Sequence, residues 1–382
     1  MVKHLKFLLT NRNRFLVNEN ISNQLTLKHF GTKNKTAMFK KTILSAFAMT
    51  SLLTAFAQDS TKKSTTTISG SVDAYYRYDF NDGKNTTNNL TSFTNSKNSF
   101  ELGMATIRVD HSIGKVTATA DLGFGRRAQE FSYLDGGSLA SVKQLYITYA
   151  PSSKVKFTMG KFATHIGWEL LDAVANRNYS MSYGFSFGPF FHTGLKMDVS
   201  LGGKSAFMVG IINPTDYSTT TSGGKMAIAQ FSTGSKNDKL KMYLNYIGGT
   251  NNSANGGYKK LSQFDLVLNG VLSSKFGINY DGTIVNRDGQ VWTSNAVYLN
   301  YDPISSFGLT LRGEYFDDTK KALGISTSLF VPTLSANIKI DNLTIIPEVR
   351  LDNAKDDFLF SKSSGAATKS AGSFILAATY KF

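Results

Sequence analysis

From Ile68 onward the chain alternates between apolar and polar positions. In the stretch Ile68 to Phe80, Ile68, Val72, Ala74, Tyr76, Tyr78 and Phe80 share one parity, while Ser69, Ser71, Asp73, Tyr75, Arg77 and Asp79 share the other. Successive side chains of a strand point to opposite faces, so this pattern describes a strand that is apolar on one side and wet on the other. Comparable segments follow at about 99–112, 115–126, 142–150, 154–162, 190–202, 204–213, 224–234, 239–248, 260–272, 275–286, 290–301, 307–317, 323–340, 343–353 and 371–382. They predict about sixteen strands, with fourteen to eighteen compatible with strand ends displaced by a few residues.

The connections sort into two kinds. Those at 112–115, 151–154, 202–204, 235–239, 273–275, 302–307 and 341–342 are short and rich in Gly, Ser, Asn, Asp and Lys. Most of those interleaved with them are longer, at 81–98, 127–141, 163–189, 214–223, 249–259 and 354–370. Short turns alternating with long loops fit an all-β, transmembrane, antiparallel up-and-down barrel in the bacterial outer membrane, with its turns in the periplasm and its loops outside. An even strand count then returns both termini to the periplasm. A soluble sandwich also alternates, but sixteen strands of this length would more naturally divide into domains. The last strand, with Phe374, Leu376, Ala378, Tyr380 and Phe382 in register, alternates to its final residue. Such a terminal Phe382 resembles the signal by which the barrel assembly machinery recognises its clients, and it also suits the aromatic girdle that meets outer-membrane lipid.

Composition sharpens this picture at three points. After residue 57 no run of about 20 apolar residues exists, which excludes a helical membrane protein. With no cysteine, the chain has no disulfides, no zinc-thiolate sites and no lipoprotein anchor. Residues 38–57 combine two lysines, an apolar core and the ending Ala55-Phe56-Ala57, the pattern of a cleaved export signal. Residues 1–37 then read as an extension upstream of a start at Met38, and 58–67 as a polar N-terminal segment before the barrel of 68–382. Nine of the 42 basic residues and one of the 27 acidic ones fall in 1–57, so the formal charge of +15 drops to +7 for the mature chain. That removes the main argument for a nucleic-acid partner.

The segment from Ala163 to Pro189 has no sustained strand period and mixes glycines, charges and many aromatics. Loops this long are usually functional, and this one is expected to pack into or over the lumen. Around it lie Val142-Lys143-Gln144-Leu145-Tyr146-Ile147-Thr148-Tyr149-Ala150-Pro151, Gly160-Lys161-Phe162, Gly167-Trp168-Glu169, Asn176-Arg177-Asn178-Tyr179-Ser180 and Gly188-Pro189-Phe190-Phe191-His192-Thr193-Gly194. In these strings the chain resembles the OmpL-like β-barrel porins of Bacteroidetes, most clearly over 142–200. The resemblance implies an outer-membrane barrel and passive diffusion of small hydrophilic solutes, and a homotrimer is compatible with it. A closed barrel acting in surface adhesion or as a structural protein through its loops is the alternative.

The candidate pore-lining or constriction residues are the wet-face charges Arg77, Lys143, Lys161, Lys196, Asp198, Arg312, Glu314, Glu348 and Arg350, with Glu169, Asp172 and Arg177 of the long loop near the narrowest point if that loop folds inward. Opposing charges across a narrow lumen set its field, whereas mutual pairing would only keep it wet. His165, Glu169 and Asp172 have metal-capable chemistry but no second histidine nearby in sequence and no helical period, so a polar loop bonded to the wall is the better expectation. His192 shares a face with Lys196 and Asp198 and should point to the lumen. No nucleophile, base and orienting group occur together, and neither glycine-rich string has a phosphate-binding setting, so no catalytic, metal or cofactor site is expected. If the export signal is read correctly, N-terminal sequencing of the membrane-embedded protein should begin at Gln58; residues from before Met38 would contradict it.

Overall fold

The computed structural model describes residues 63–83, 88–221, 223–252 and 258–382. The expected export signal at 38–57 and the extension before it lie outside the described residues. Sixteen strands form a closed barrel. They are β1 (Ser64–Asp79), β2 (Ser99–Ile113), β3 (Val116–Phe124), β4 (Val142–Tyr149), β5 (Val155–Ala163), β6 (Phe191–Gly202), β7 (Ser205–Ile212) and β8 (Met226–Gly234) in the first half. The second half comprises β9 (Leu240–Asn252), β10 (Tyr258–Val271), β11 (Phe276–Arg287), β12 (Gln290–Ile304), β13 (Phe307–Asp317), β14 (Ser328–Ile340), β15 (Leu343–Ala354) and β18 (Ser370–Lys381). Two short strands, β16 (Phe360–Ser361) and β17 (Ala367–Thr368), make a small hairpin in the loop before β18.

Each barrel strand pairs antiparallel with its sequence neighbour, and β18 closes the cylinder on β1, with Ser71 opposite Lys381 and Asp79 opposite Ser373. The alternation read from the sequence is the inside-outside alternation of this wall. On the outside Leu145, Ile147, Met159, Leu195 and Ile211 are exposed; on the inside Thr310, Arg312 and Glu314 are buried. That inversion suits a wall whose outer face meets hydrocarbon and whose backbone bonds are all satisfied between strands.

The start of β1, the end of β18 and most of the short turns sit at one end. At Asp341 and Asn342, and again at Asp288 and Gly289 at the opposite end, two residues close a hairpin; Asp341, Asp288 and Gly289 have φ of 52°, 52° and 86°. Positive φ in a two-residue turn matches the twist of the flanking strands, and Asp and Gly reach it at low cost. Boundaries differ from expectation by up to five residues: β9 runs on to Asn252 and β12 to Ile304, and two starts shift for visible reasons. β1 begins at Ser64, because Ser64 to Thr67 pair with Asp110 to Ile113, and threonine suits a strand despite its polarity. Strand β14 begins at Ser328, not near Leu323. The Asp318 carboxylate accepts backbone N–H groups of Leu323 and Ser326, folding 318–327 into a compact loop that buries Leu323 and Ile325.

At the closing seam Phe382 continues the ladder by exchanging two backbone bonds of 3.0 Å with Gly70. A Cβ on Gly70 would stand 2.5 Å from the Phe382 ring, so the ring lies against the bare backbone that glycine leaves open. Deleting Phe382 should therefore lower the heat-modifiable folded fraction in outer membranes, with Phe382→Tyr mild and Gly70→Val intermediate. Equal folding of all variants would remove any role for this contact.

Candidate functional site

The loop from Thr164 to Pro189, together with Phe190, turns into the barrel and runs along the inner wall. A segment leaving a strand carries N–H groups that have lost their ladder partners, and each one buried without an acceptor costs about 1–3 kcal/mol. Wall carboxylates supply the acceptors. Gly167 donates to Asp265 on β10 and Trp168 to Asp281 on β11. Tyr183 and Gly184 donate to the two oxygens of Glu314 on β13, at 2.9 and 2.8 Å. Tyr179 and Ser180 likewise donate to the two oxygens of Glu348 on β15, at 2.7 and 3.0 Å. At the return, Phe190 and Phe191 share Asp216. Bonds to an ionised acceptor are stronger than neutral ones, so this pattern fixes the loop's path as well as satisfying it.

Cations bind the loop's carbonyls and its one central acid. Arg312 pairs with Glu169 and donates to Ser180 O, while Arg350 donates to Met181 O and forks onto Asp352. Glu169 also accepts from the N–H and the hydroxyl of Ser182, which caps the helical turn Tyr183–Phe187. Apolar packing finishes the assembly. Phe93, Phe131, Met181, Phe185, Phe190 and Phe191 form a buried cluster, and Arg127, at the start of a second short helix (Arg126–Phe131), lies over the rings of Phe93 and Tyr179. Arg127 also donates to Leu171 O and stands 4.0 Å from Asp73.

The sequence-derived candidates divide by environment. Arg312 and Glu314 are 0% exposed and Arg350 is 4% exposed, beneath the docked loop. Glu169 and Glu348 are buried with them, and Arg77 donates to Ser96 O. Lys143 is held between Asp121 at 3.1 Å and Asp172 at 2.7 Å, and Lys161 lies 3.0 Å from Asp135 and over the Phe191 ring. Arg177 makes a two-pronged contact with Asp302. Lys196 and Asp198 pair at 3.4 Å and keep partial access to solvent. His165, Glu169 and Asp172 go to three different partners: Tyr246 O, Arg312 and Lys143. Burial pushes the His165 imidazole down to about 4, which keeps it neutral at physiological pH. His192 is fully buried on the lumenal side, bonded to Thr164.

The candidate set left out Asp216, Asp265, Asp281, Asp302, Asp352 and Arg127, all of which hold the loop or its neighbours. It also passed over the accessible charges Arg108, Asp110 and Lys156. Arg108 forks onto Asp110 and reaches Tyr146, whereas Lys156 on β5 has its side chain 51% exposed. Except for Asp216 and Arg127, which lie between strands, they occupy the polar parity of a strand, and parity was the available signal.

A family model described as "Putative beta-barrel porin-2, OmpL-like" matches residues 65–382. No curated protein matches the sequence. Among solved structures, the outer membrane channel DcaP of Acinetobacter baumannii is similar with a TM-score of 0.55 at 13% identity, over 84% of this chain and 97% of that one. The anion-selective porin of Comamonas acidovorans gives 0.55 at 12%, over 84% and 100%. OmpT of Vibrio cholerae, in its trimer form, gives 0.53 at 13%, over 84% and 99%.

If wall carboxylates dock the loop, Glu314→Ala or Glu348→Ala should strand two buried N–H groups each and admit protease between residues 168 and 186, with the barrel still heat-modifiable. Glu314→Gln, which keeps an acceptor oxygen, should be milder, and Asp110→Ala, away from the docked wall, should leave the loop protected. Uniform protection across the set would contradict the docking role.

Proposed function

Because the chain belongs to the OmpL-like β-barrel porin-2 family, and so is an outer-membrane porin, we propose that small hydrophilic solutes diffuse passively along an eccentric path beside the wall of β2 to β6. One observation carries this reading: Arg108, Asp110, Lys156, Lys196 and Asp198 keep accessible side chains there, while the charges of β13 to β15 that meet the loop are buried. The loop acts as the constriction. Arg312, Glu314, Glu348 and Arg350 then hold the constriction in place, and ions passing it meet the accessible group, with Asp172, Arg177 and Asp302 at its margin. Lys156, the most exposed of these cations, gives the path a weak preference for anions. Export by a cleaved signal and assembly as a homotrimer complete the proposal; the trimer form of the OmpT neighbour supports the latter.

Planar-bilayer recording tests it. Lys156→Glu and Arg108→Glu should move the reversal potential toward cations, more at 0.1 M than at 1 M salt, where the screening length falls from about 10 Å to about 3 Å. Deleting 168–186 should raise single-channel conductance and the solute size limit while the barrel stays folded. Parental conductance in a folded deletion variant would place the constriction elsewhere, and no conductance in the parent would favour a closed surface barrel.

A further inference from the structure

At the root of the docked loop, Asp265 on β10 and Asp281 on β11 occupy diagonal positions on adjacent strands, two places apart in register, and both line one cavity. Among the described residues neither takes part in an ion pair. Asp265 is 2% exposed; its Oδ1 accepts from Gly167 N and Asn245 Nδ2, but its Oδ2 has no donor. Asp281 Oδ2 accepts from Trp168 N at 2.8 Å. Both carboxylates line a cavity of about 10 Å³ whose other walls include Gln263, Thr283, Gly184 and Gly188. That is room for one water-sized guest.

We propose that this cavity binds a hard divalent cation, calcium being the type ion. Two adjacent buried carboxylates with no basic partner can both be ionised only if something positive is placed between them, the alternative being a shared proton. All the side-chain donors present are oxygens, apart from the Gln263 amide nitrogen, which is already committed to Thr283. Carboxylate, amide and carbonyl oxygens select calcium or magnesium over transition metals, and calcium tolerates an irregular, flexible donor set. Of the other acids beside this site, Glu169 is paired with Arg312, and Glu314 is taken up by the N–H groups of Tyr183 and Gly184. The cation would clamp the loop at Gly167 and Trp168, where it leaves the strand. This site does not depend on which solute passes the pore.

Trp168 provides the readout. Its backbone is bonded to one of the proposed ligands, so terbium, an oxygen-seeking substitute for calcium, would sit near its indole. With full-length protein in detergent and calcium removed, terbium should give saturable one-site emission sensitised by tryptophan, which calcium displaces. Asp265→Asn and Asp281→Asn should each weaken calcium binding by about tenfold or more, because ligand charge sets affinity. Trp168→Phe should lose the emission yet keep the calcium heat seen by titration calorimetry. If the parent shows no calcium heat at neutral pH, or if folded aspartate variants bind terbium as the parent does, the proposal is overturned and the pair holds a shared proton or a water molecule. Should the aspartate variants not fold, calorimetry on the parent decides alone.

Discussion

A chain segment can enter the interior of this barrel only if its backbone finds partners there. Strand backbones satisfy one another, but a loop laid across the lumen brings N–H groups into a space where little water remains to bind them. Here the wall answers with carboxylates: Glu314 and Glu348 each take a consecutive pair of loop N–H groups, and Asp265 and Asp281 take one each. The acids cannot stand alone, so Arg312 and Arg350 lie among them and bind the loop's carbonyls in turn. The result is a polar core inside a membrane protein, with its aromatic cluster added where the loops meet each other.

That core redistributes the charges of the lumen. A wet-facing residue counts toward the field felt by a passing ion only when water reaches it, because buried pairs largely cancel each other. Arg312 with Glu169 and Arg350 with Asp352 are cancelled in this sense, whereas Arg108, Lys156 and Lys196 remain in contact with solvent. On the proposed reading, docking the loop does two things at once: it narrows the passage and it chooses which side chains are left to act on what passes.

The barrel was legible in the sequence because its two decisive signals are local. Period-two alternation fixes which face each residue takes, and turn chemistry such as Asp341-Asn342 fixes where strands reverse; closure and strand count follow from them. The loop was legible as an interruption, and its aromatics argued that it must be covered. What alternation could not supply is the third dimension of the lumen. Arg312, Arg350 and Lys156 all read as wet positions, yet one side of the barrel is covered by the loop and the other is not, a difference set by contacts between Tyr179 or Tyr183 and strands more than a hundred residues away. Arg127 shows the same limit: next to Arg126 it has no reading of its own, and only the rings of Phe93 and Tyr179 give it one. The compact turn at Asp318 was misread for a simpler reason, since Leu323 and Ile325 keep strand parity while being buried for another purpose.

The closing seam between β1 and β18 has a consequence for how such a barrel can change in size. Fifteen of the sixteen pairings join sequence neighbours, and a single one, from Ser71 to Lys381, spans nearly the whole chain. The entropy of bringing two distant ends together rises only with the logarithm of the separation, and even a doubling adds only about 0.6 kcal/mol. Inserting or losing one hairpin would therefore scarcely affect ring closure. What such a change would disturb is the docked loop, whose partners on β10 through β15 are spaced for this circumference. Strand number and ladder set the ring, and the strap is fitted to it, so a barrel of another size would need another strap.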